Sequence, residues 1–315
     1  MTLQSIVEQY AAFRKTLGER FRVNGQVLNA FCRAMGQGAN LSDVSREKVS
    51  AFLVGQGPLT ASWHVRHNAL LGFYRYAISR GFVGASPLPL VIPKRPPAFQ
   101  PYIYSQTELR RLLDSTGSYQ RYRSRLEPPT VRTILLLMYG AALRTSEVLS
   151  LTLRDVDLAN AVLTVRDSKF FKSRLVPLGL KTVQVLAEYA HRRGAACYQQ
   201  DPDTSFFVGR NAKSVNIFTL ENAFERIRAH AGLRREGGGR RQPRLHDLRH
   251  TSAVHRLTSW YREGRDVQKL LPQLSVYMGH THLAATQVYL TMTPELLHEA
   301  SLRFEHYAAL EGSND

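Results

Sequence analysis

A proline-rich segment at residues 86–101 divides the chain. It reads SPLPLVIPKRPPAFQP and places six prolines in sixteen residues. Proline fixes its own φ angle and has no amide hydrogen to donate, so this density excludes a helix and favours an extended linker. We predict a linker at residues 91–101 between a first domain at 1–90 and a second at 102–308, with a flexible tail at 309–315. A chain of 315 residues is long enough for two domains.

The first domain is predicted to consist of helices alone. Apolar residues recur at helical spacing in four successive segments, and glycines close the second and the fourth. The fourth segment is expected to have a polar side made of His64, Arg66, His67, Asn68 and Arg75, interleaved with Trp63 and Tyr74. Such a side suits contact with a DNA backbone or groove, and an ordinary solvated helix side fits the local sequence equally well.

The second domain is predicted to be mainly helical with a small antiparallel β-sheet. Residues 105–108, Ser-Gln-Thr-Glu, form a capping box at the start of a helix. An apolar helix opened by Thr130 leads directly to Arg144 and would hold that side chain rigidly. Two short β-rich runs, at 162–166 and 174–178, flank a polar turn and predict a hairpin. The remaining apolar patterns predict further helices, the last of them amphipathic.

The net charge indicates a polyanionic partner. The chain has 42 Lys and Arg residues against 25 Asp and Glu, which gives a formal net charge of +17. An excess of this size favours nucleic acid first and an anionic membrane surface second. A basic protein whose charge only aids solubility is the plainer alternative.

The sequence also bears on the compartment. The chain begins without a secretory signal pattern, and its apolar runs are too short to span a bilayer. Cys32 and Cys197 lie far apart and fit neither a disulfide framework nor a zinc site. We therefore expect a reducing, cytoplasmic and nucleoid-associated location.

Residues 240–289 concentrate the groups that can act on a phosphate. His246 and Arg249 are three residues apart, so on a helix they share one side. His280 follows a glycine at a predicted helix end, and Tyr289 lies nine residues further on. A guanidinium, imidazoles and a phenol, without a carboxylate or cysteine cluster, suit phosphate chemistry that needs no metal and no cofactor.

The order of these residues resembles the tyrosine recombinase (phage-integrase-like) family, which includes the Xer-like enzymes. The matching positions are Arg144 in ALRTSEVLSLTLRDVD, Lys169 in DSKFFKSRLVPL, His246 and Arg249 in HDLRH, His280 and Tyr289. The resemblance covers residues 101–300, the catalytic domain. It implies a helical core-binding domain before the linker and an α+β catalytic domain after it.

The resemblance also implies a reaction, a site-specific cutting and rejoining of double-stranded DNA. Arg144 and Arg249 would clamp the non-bridging oxygens of the scissile phosphate, and Tyr289 would be the nucleophile that forms a 3′-phosphotyrosyl link. Such a link keeps the free energy of the broken bond, so neither ATP nor a metal is required. A tetramer on two DNA sites, with accessory or sister recombinases as further possible partners, follows from the same resemblance.

The other matching residues would move protons or bind the phosphate. His246 is the candidate base or proton shuttle, His280 the candidate hydrogen-bond donor to the phosphate, and Lys169 the candidate general acid for the leaving 5′ oxygen. Lys172 is the rival of Lys169. Tyr277, Tyr261 and Tyr307 are rivals of Tyr289, but they lack its spacing from His280.

Three neighbouring residues are assigned supporting roles. His250 is interpreted as a packing or supporting histidine, Asp247 as a group that caps or orients a helix start, and Glu147 as support for the first arginine. The candidate DNA contacts are Arg66, His67, Arg75, Lys94, Arg95, Lys172, Arg174, Arg240, Arg241 and Arg244.

Two rival functions and one subfamily question stay open. A type IB topoisomerase-like enzyme would use similar chemistry to relax DNA, and a DNA-binding accessory protein would have lost catalysis. The long segment at residues 260–278, which contains Pro272, favours a recombinase of a mobile element over a chromosome resolvase.

Overall fold

The computed structural model describes residues 1–19, 21–56, 61–96, 100–118, 124–166, 173–196, 198–237 and 241–311, without the side chains of residues 303, 304 and 306–311. These residues form two compact units, one before residue 100 and the other from residue 100 onwards. Each unit has its own buried apolar core. Within the described residues, no helix is both long and apolar enough to cross a bilayer.

Four α-helices form the first unit: α1 Leu3–Thr16, α2 Arg22–Met35, α3 Arg46–Val54 and α4 Ala61–Ser79. The all-helical prediction for this part of the chain is confirmed. Side-chain oxygens begin two of the helices, because Thr2 accepts the amide hydrogen of Ser5 and Ser45 accepts that of Lys48. Helix α4 packs against α1, α2 and α3, so much of its surface is covered.

The predicted polar side of α4 is exposed only in part, since Asn68 and Arg75 are exposed and the two histidines are buried. His64 and His67 are only 7% and 4% exposed, and the ring of His67 stacks on that of Trp63 at 5.0 Å. Arg66 bends back to the end of α3, where its Nη1 donates to the carbonyl oxygens of Phe52 and Leu53 at 3.0 and 3.3 Å. These contacts arise because three helices pack against α4, and they occupy His67 and Arg66, which were expected to face solvent.

The proline-rich segment lacks regular structure wherever it is described. Residues 82–96 lie in neither helix nor strand. Leu88 is buried in the core of the first unit, whereas Leu90 and Val91 are exposed. Lys94 and Arg95 are also exposed.

The second unit contains nine α-helices among its described residues. They are α5 Gln106–Ser118, α6 Pro128–Gly140, α7 Thr145–Leu149, α8 Leu180–Ala195, α9 Ile217–His230, α10 Asp247–Arg262, α11 Val267–Met278, α12 Ala284–Gln287 and α13 Pro294–Glu311. The predicted capping box is present, since Ser105 Oγ accepts from the Glu108 amide and Glu108 Oε2 accepts from the Ser105 amide. Helix α13 reaches Glu311, so residues 309–311, predicted as tail, are helical.

A three-stranded antiparallel sheet accompanies these helices. Its strands are β1 Val156–Asp157, β2 Val162–Val165 and β3 Arg174–Pro177, in the order β1-β2-β3. Leu163 pairs with Val176, and both side chains are fully buried in the main core of the unit. The predicted hairpin and the predicted fold class are thereby confirmed. Residues 167–172, with Lys169 and Lys172, lie outside the described residues.

The turn after α6 brings backbone groups to the candidate site. Seven of the thirteen residues of α6 are buried, and Ala141 to Leu143, which follow it, are buried as well. Ala142 has φ +50°, a left-handed conformation that is uncommon for a residue with a side chain. This turn aims the Ala142 carbonyl at α10 and places Arg144 at the start of α7.

Candidate active site

Five elements of the second unit converge on one group of polar side chains. Arg144 caps α7, Arg174 begins β3, and the first turn of α10 carries three further members. His280 follows α11, and Tyr289 lies in a 3-10 helix, Val288–Thr291. We call this group the active-site cluster: Arg144, Glu147, Arg174, His246, Arg249, His250, His280 and Tyr289.

Glu147 joins the arginines of the cluster. Its carboxylate accepts from the backbone amide and Nη1 of Arg144 at 2.9 and 2.7 Å, and from both terminal nitrogens of Arg174 at 3.0 Å. Arg249 Nη1 lies 3.8 Å from the same carboxylate. Burial opposes the charged form, but the hydrogen bonds from Arg174 and Arg144 outweigh it and lower the pKa of Glu147 to about 2. The supporting role predicted for Glu147 therefore extends to three arginines.

Arg249 is held by backbone carbonyls deep in the unit. It is 1% exposed, and its Nη1 and Nη2 donate to the carbonyl oxygens of Ala142 and Met278 at 2.5 and 2.6 Å. Burial and the nearby charge of Arg144 lower its pKa to about 10, so the guanidinium remains charged at neutral pH. A fixed, desolvated cation of this kind can stabilise the charge that develops on a phosphate.

Arg144 is the more accessible of the two predicted clamp arginines. Its Nη2 donates to the carbonyl oxygen of Gly279 at 3.0 Å, and one third of its side chain is exposed. Gly279 ends α11 with φ +67°, in the left-handed region that glycine adopts readily. Arg144 can therefore contact an anion from solvent while Glu147 and Gly279 fix its orientation.

Arg174 differs from what the sequence predicted. It was a candidate DNA contact, but its side chain is only 11% exposed. Besides the two bonds to Glu147, its Nε donates to the Tyr277 carbonyl oxygen at 3.1 Å. Arg174 therefore ties β3 to α7 and to the end of α11, and its role is to position the cluster.

Tyr289 is buried within the cluster. It is 3% exposed, and its hydroxyl lies 3.0 Å from Nδ1 of His250. Burial raises the pKa of Tyr289, while the charges of Arg249 and Arg144 act in the opposite direction. Sequence reasoning gave His250 only a supporting role and missed this contact. The available signal was its position one helical turn after His246, on the same side of α10.

Two other histidines belong to the cluster. His280 Nδ1 lies 2.7 Å from Oγ1 of the buried Thr286, and its ring stacks near that of Tyr289 with centroids 6.1 Å apart. Burial, Arg249 and Arg144 lower the pKa of His280 to about 4. His246 meets the ring of His250 edge-on at 4.8 Å, and burial and Arg249 lower its pKa as well. All of these imidazoles are therefore neutral at pH 7.

The remaining predicted residues have varied placements. Asp247 is fully buried and accepts from the amide and Nη2 of Arg244 at 2.9 and 3.2 Å, as expected of a group that orients a helix start. The hydroxyl of Tyr277 donates to the Pro177 carbonyl oxygen at 3.4 Å. The candidate DNA contacts with exposed side chains are Arg75, Lys94, Arg95, Arg241 and Arg244. Lys172 and Arg240 lie outside the described residues, as does the candidate general acid Lys169.

A metal-binding arrangement is not found in the described part of the chain, where no three His, Cys, Asp or Glu side chains could share an ion. The cluster instead gathers three guanidiniums, three imidazoles and a phenol around one carboxylate. These groups can bind a phosphate by charge and hydrogen bonds, and they place a nucleophile beside it.

Comparison with known proteins shows the family of the chain. The model of the Phage integrase family matches residues 105–295. An integrase/recombinase named y4rB, from Sinorhizobium fredii, is 34% identical over 96% of this chain and 97% of its own length. The chain belongs to the phage integrase family. It is accordingly an enzyme of the tyrosine-type site-specific DNA recombinase class, as the order of its residues predicted.

Solved structures share the fold of this family member. The Tn1549 transposon integrase, solved in complex with transposon right end DNA, has a TM-score of 0.68 and 16% identity, covering 98% of this chain and 100% of that one. A lambda integrase, solved as a tetramer bound to a Holliday junction, has a TM-score of 0.66 and 16% identity, covering 92% and 77%. At these identities the likeness concerns the fold.

Proposed function

We propose that this recombinase cuts and rejoins duplex DNA at specific sites through a covalent 3′-phosphotyrosyl link on Tyr289. One observation carries the proposal: the Tyr289 phenol lies in the same cluster as the guanidiniums of Arg249 and Arg144, and their charges act on it. Glu147 holds Arg144 in that cluster. A phosphodiester resists attack because its anionic oxygens repel a nucleophile. Two fixed guanidiniums remove that obstacle at the position where the phenol is held.

The covalent step balances without an outside energy source. The Tyr289 oxygen bonds to phosphorus, the bond from phosphorus to the 5′ oxygen breaks, and the phenolic proton passes to a base. The departing 5′ oxygen takes a proton from an acid, for which we propose Lys169. Because the phosphotyrosyl link preserves the free energy of the broken bond, a 5′-hydroxyl can attack it and rejoin a strand without ATP. Arg144 and Arg249 supply the positive charge at the phosphate, so the proposal requires no metal.

We propose DNA as the partner because the chain has a net charge of +17 and several exposed cationic side chains. The exposed basic residues Arg75, Lys94, Arg95, Arg241 and Arg244 suit contacts with the backbone of a duplex. The Tn1549 transposon integrase and the lambda integrase were both solved with DNA bound, the lambda integrase as a tetramer on a Holliday junction. We propose a tetramer of this chain on two DNA sites, in the service of a mobile element.

Covalent capture tests the reaction on many candidate sequences at once. The purified protein is incubated with a pool of nicked duplexes that carry randomised flanks, and denaturation-resistant protein–DNA adducts are recovered and sequenced. A nick lets the short 5′-hydroxyl strand diffuse away, so that the adduct accumulates. Wild type and the control Tyr261→Phe should form adducts on the same sequences, and Tyr289→Phe should form none. An adduct with Tyr289→Phe, or none with wild type, would overturn the proposal.

Strand exchange separates recombination from relaxation. Two duplexes carrying the captured sequence, each with a different end label, are mixed with the wild-type protein. Products that carry both labels support recombination. If supercoiled plasmid is relaxed while no product carries both labels, the enzyme is a type IB topoisomerase-like protein instead.

A further inference from the structure

The hydroxyl of Tyr289 has one proton to donate, and the cluster restricts where it can go. The charge of Arg249 acts on the phenol, but a guanidinium has only donors and cannot accept the proton. His250 Nδ1, 3.0 Å from the hydroxyl, is the acceptor within hydrogen-bonding distance among the described side chains. With Nδ1 unprotonated, His250 is therefore the group to which the buried phenol can direct its proton.

The neighbours of His250 keep its ring unprotonated. The titratable and charged groups that face it are His246 and Arg249 on its own helix, Arg244 before that helix, His280 after α11, and Tyr289. Burial and these positive or ionisable groups lower the pKa of His250 to about 3. At neutral pH the ring is thus neutral and can offer a lone pair at Nδ1.

We propose that His250 is a catalytic residue that accepts the phenolic proton of Tyr289 during strand cleavage. As the Tyr289 oxygen bonds to phosphorus, its O–H proton moves to Nδ1 of His250, and the bond to the 5′ oxygen breaks. In rejoining, the incoming 5′-hydroxyl attacks phosphorus and gives its proton back to the group that acted as general acid. The bond from phosphorus to the Tyr289 oxygen breaks, and His250 returns its proton to the departing phenolate. The inference rests on the proposed function, since it assigns a role within that reaction.

The placement of His246 and His280 supports this assignment. His246 was the predicted base, yet its ring contacts His250 and not the phenol. His280 turns Nδ1 towards Thr286, and its ring stacks near that of Tyr289 with an angle of 25° between the two planes, so its Nδ1 already has another partner. A bound phosphate would add negative charge beside Arg144 and Arg249 and so ease protonation of His250 during the reaction.

His250→Asn separates proton transfer from positioning. The Asn side-chain oxygen can take the place of Nδ1 as an acceptor, but it cannot hold a proton at neutral pH. The matched control is His255→Asn on the same helix, since His255 Nδ1 makes a similar contact with Tyr139, at 2.9 Å, away from the cluster. The probe is a nicked duplex captured by the wild-type protein, and single-turnover adduct formation is measured from pH 6 to 9.

The expected results follow from the loss of a general base. His250→Asn should bind the duplex as wild type does and form the adduct about 10²- to 10⁴-fold more slowly. Its rate should rise with pH, because the phenol must lose its proton to solvent, while wild type and His255→Asn should be nearly independent of pH from 6 to 8. If wild type forms the adduct and His250→Asn matches it in rate and pH profile, the inference alone is wrong. If wild type forms no adduct, the proposed function fails and the inference fails with it.

A measurement on the wild-type protein covers the case in which His250→Asn does not fold. Histidine ¹⁵N NMR at pH 7 should show Nδ1 of His250 unprotonated and hydrogen-bonded, and Tyr289→Phe should shift that resonance. A proton on Nδ1, or a resonance that Tyr289→Phe leaves unchanged, would overturn the inference.

Discussion

The guanidinium of Arg174 donates two parallel hydrogen bonds, both of 3.0 Å, to the carboxylate of Glu147. The two residues lie 27 positions apart and belong to different elements, β3 and α7. Because Glu147 also binds Arg144 and lies near Arg249, this pair fixes the distance between the hairpin and both predicted phosphate-binding arginines. Bidentate geometry of this kind gives direction as well as energy.

Replacing Glu147 by Gln should destabilise the second unit. The change leaves three arginines without their shared anion, and breaking a buried ion pair costs about 3–5 kcal/mol. Urea unfolding followed by Trp260 fluorescence in a Trp63→Phe background measures the free energy of unfolding of that unit. Glu127→Gln is the matched control, because its ion pair with Arg210 is exposed and should contribute less than about 1 kcal/mol. Equal losses for both variants would contradict the joining role of Glu147.

Acid should destabilise the folded cluster in two stages. Folding lowers the pKa of His250 to about 3 and that of His280 to about 4. Between about pH 6.5 and 4, both imidazoles therefore bind protons in the unfolded chain while they stay largely neutral in the folded one, which favours unfolding. Below about pH 4.5 the lowered pKa of Glu147, about 2, adds to the loss. The free energy of unfolding should therefore fall as pH falls from about 6.5.

The contribution of one histidine to this acid sensitivity can be isolated. His280→Gln should remove about 1–2 kcal/mol of the loss between about pH 6.5 and 4.5. His282→Gln, at an exposed position two residues away, is the control and should leave the pH dependence unchanged. A wild-type free energy of unfolding that rises on acidification would contradict the buried, neutral state of the cluster.

Gly279→Ala should impair cleavage more than it impairs folding. A Cβ at Gly279 would lie 2.6 Å from Nη1 of Arg174, which Glu147 and the Tyr277 carbonyl hold in place. Gly264 has the same φ of +67° with no atom within 4 Å of an added Cβ, so Gly264→Ala carries the backbone strain alone. Both variants should lose about 1 kcal/mol of stability, and Gly279→Ala alone should slow adduct formation roughly 10- to 100-fold. Equal adduct rates would show that Arg174 can move without consequence.

Arg144→Ala should separate catalysis from binding. Removing one donor to the developing charge is expected to slow adduct formation by about 10²- to 10³-fold. Duplex binding at a fixed salt concentration should change little, because many other cations contact a DNA backbone. Arg210→Ala, in an exposed ion pair on the same unit, controls for the loss of one positive charge. A large drop in binding with unchanged cleavage of the bound duplex would contradict the assigned role.

Local features of the fold were predictable from sequence because their causes are local. The capping box at Ser105, the β2–β3 hairpin and the irregular proline segment each depend on neighbouring residues alone. The burial of His64 and His67 was not predictable in this way. It depends on α4 being surrounded by three other helices, and the periodicity of a single segment does not reveal how many sides are covered.

The candidate site, too, was predictable only in part from the sequence. The order and spacing of Arg144, Arg249, His280 and Tyr289 identified the family before any geometry was known. Contacts across long sequence separations were missed, since His250 and Tyr289 are 39 residues apart and Arg174 meets the Tyr277 carbonyl across 103. No local pattern indicates which of several histidines or arginines will reach a given partner.

The esterified residue itself tests the central claim most directly. Adducts formed by the wild-type protein are trimmed with nuclease and digested, and the modified peptide is sequenced by tandem mass spectrometry. Residues 270–303 fall in one tryptic peptide that holds both Tyr277 and Tyr289, so fragment ions distinguish the two. We expect a nucleotide phosphate on Tyr289, with Tyr277 unmodified. A nucleotide on any other residue, or an adduct that persists in Tyr289→Phe, would contradict the assignment of the nucleophile.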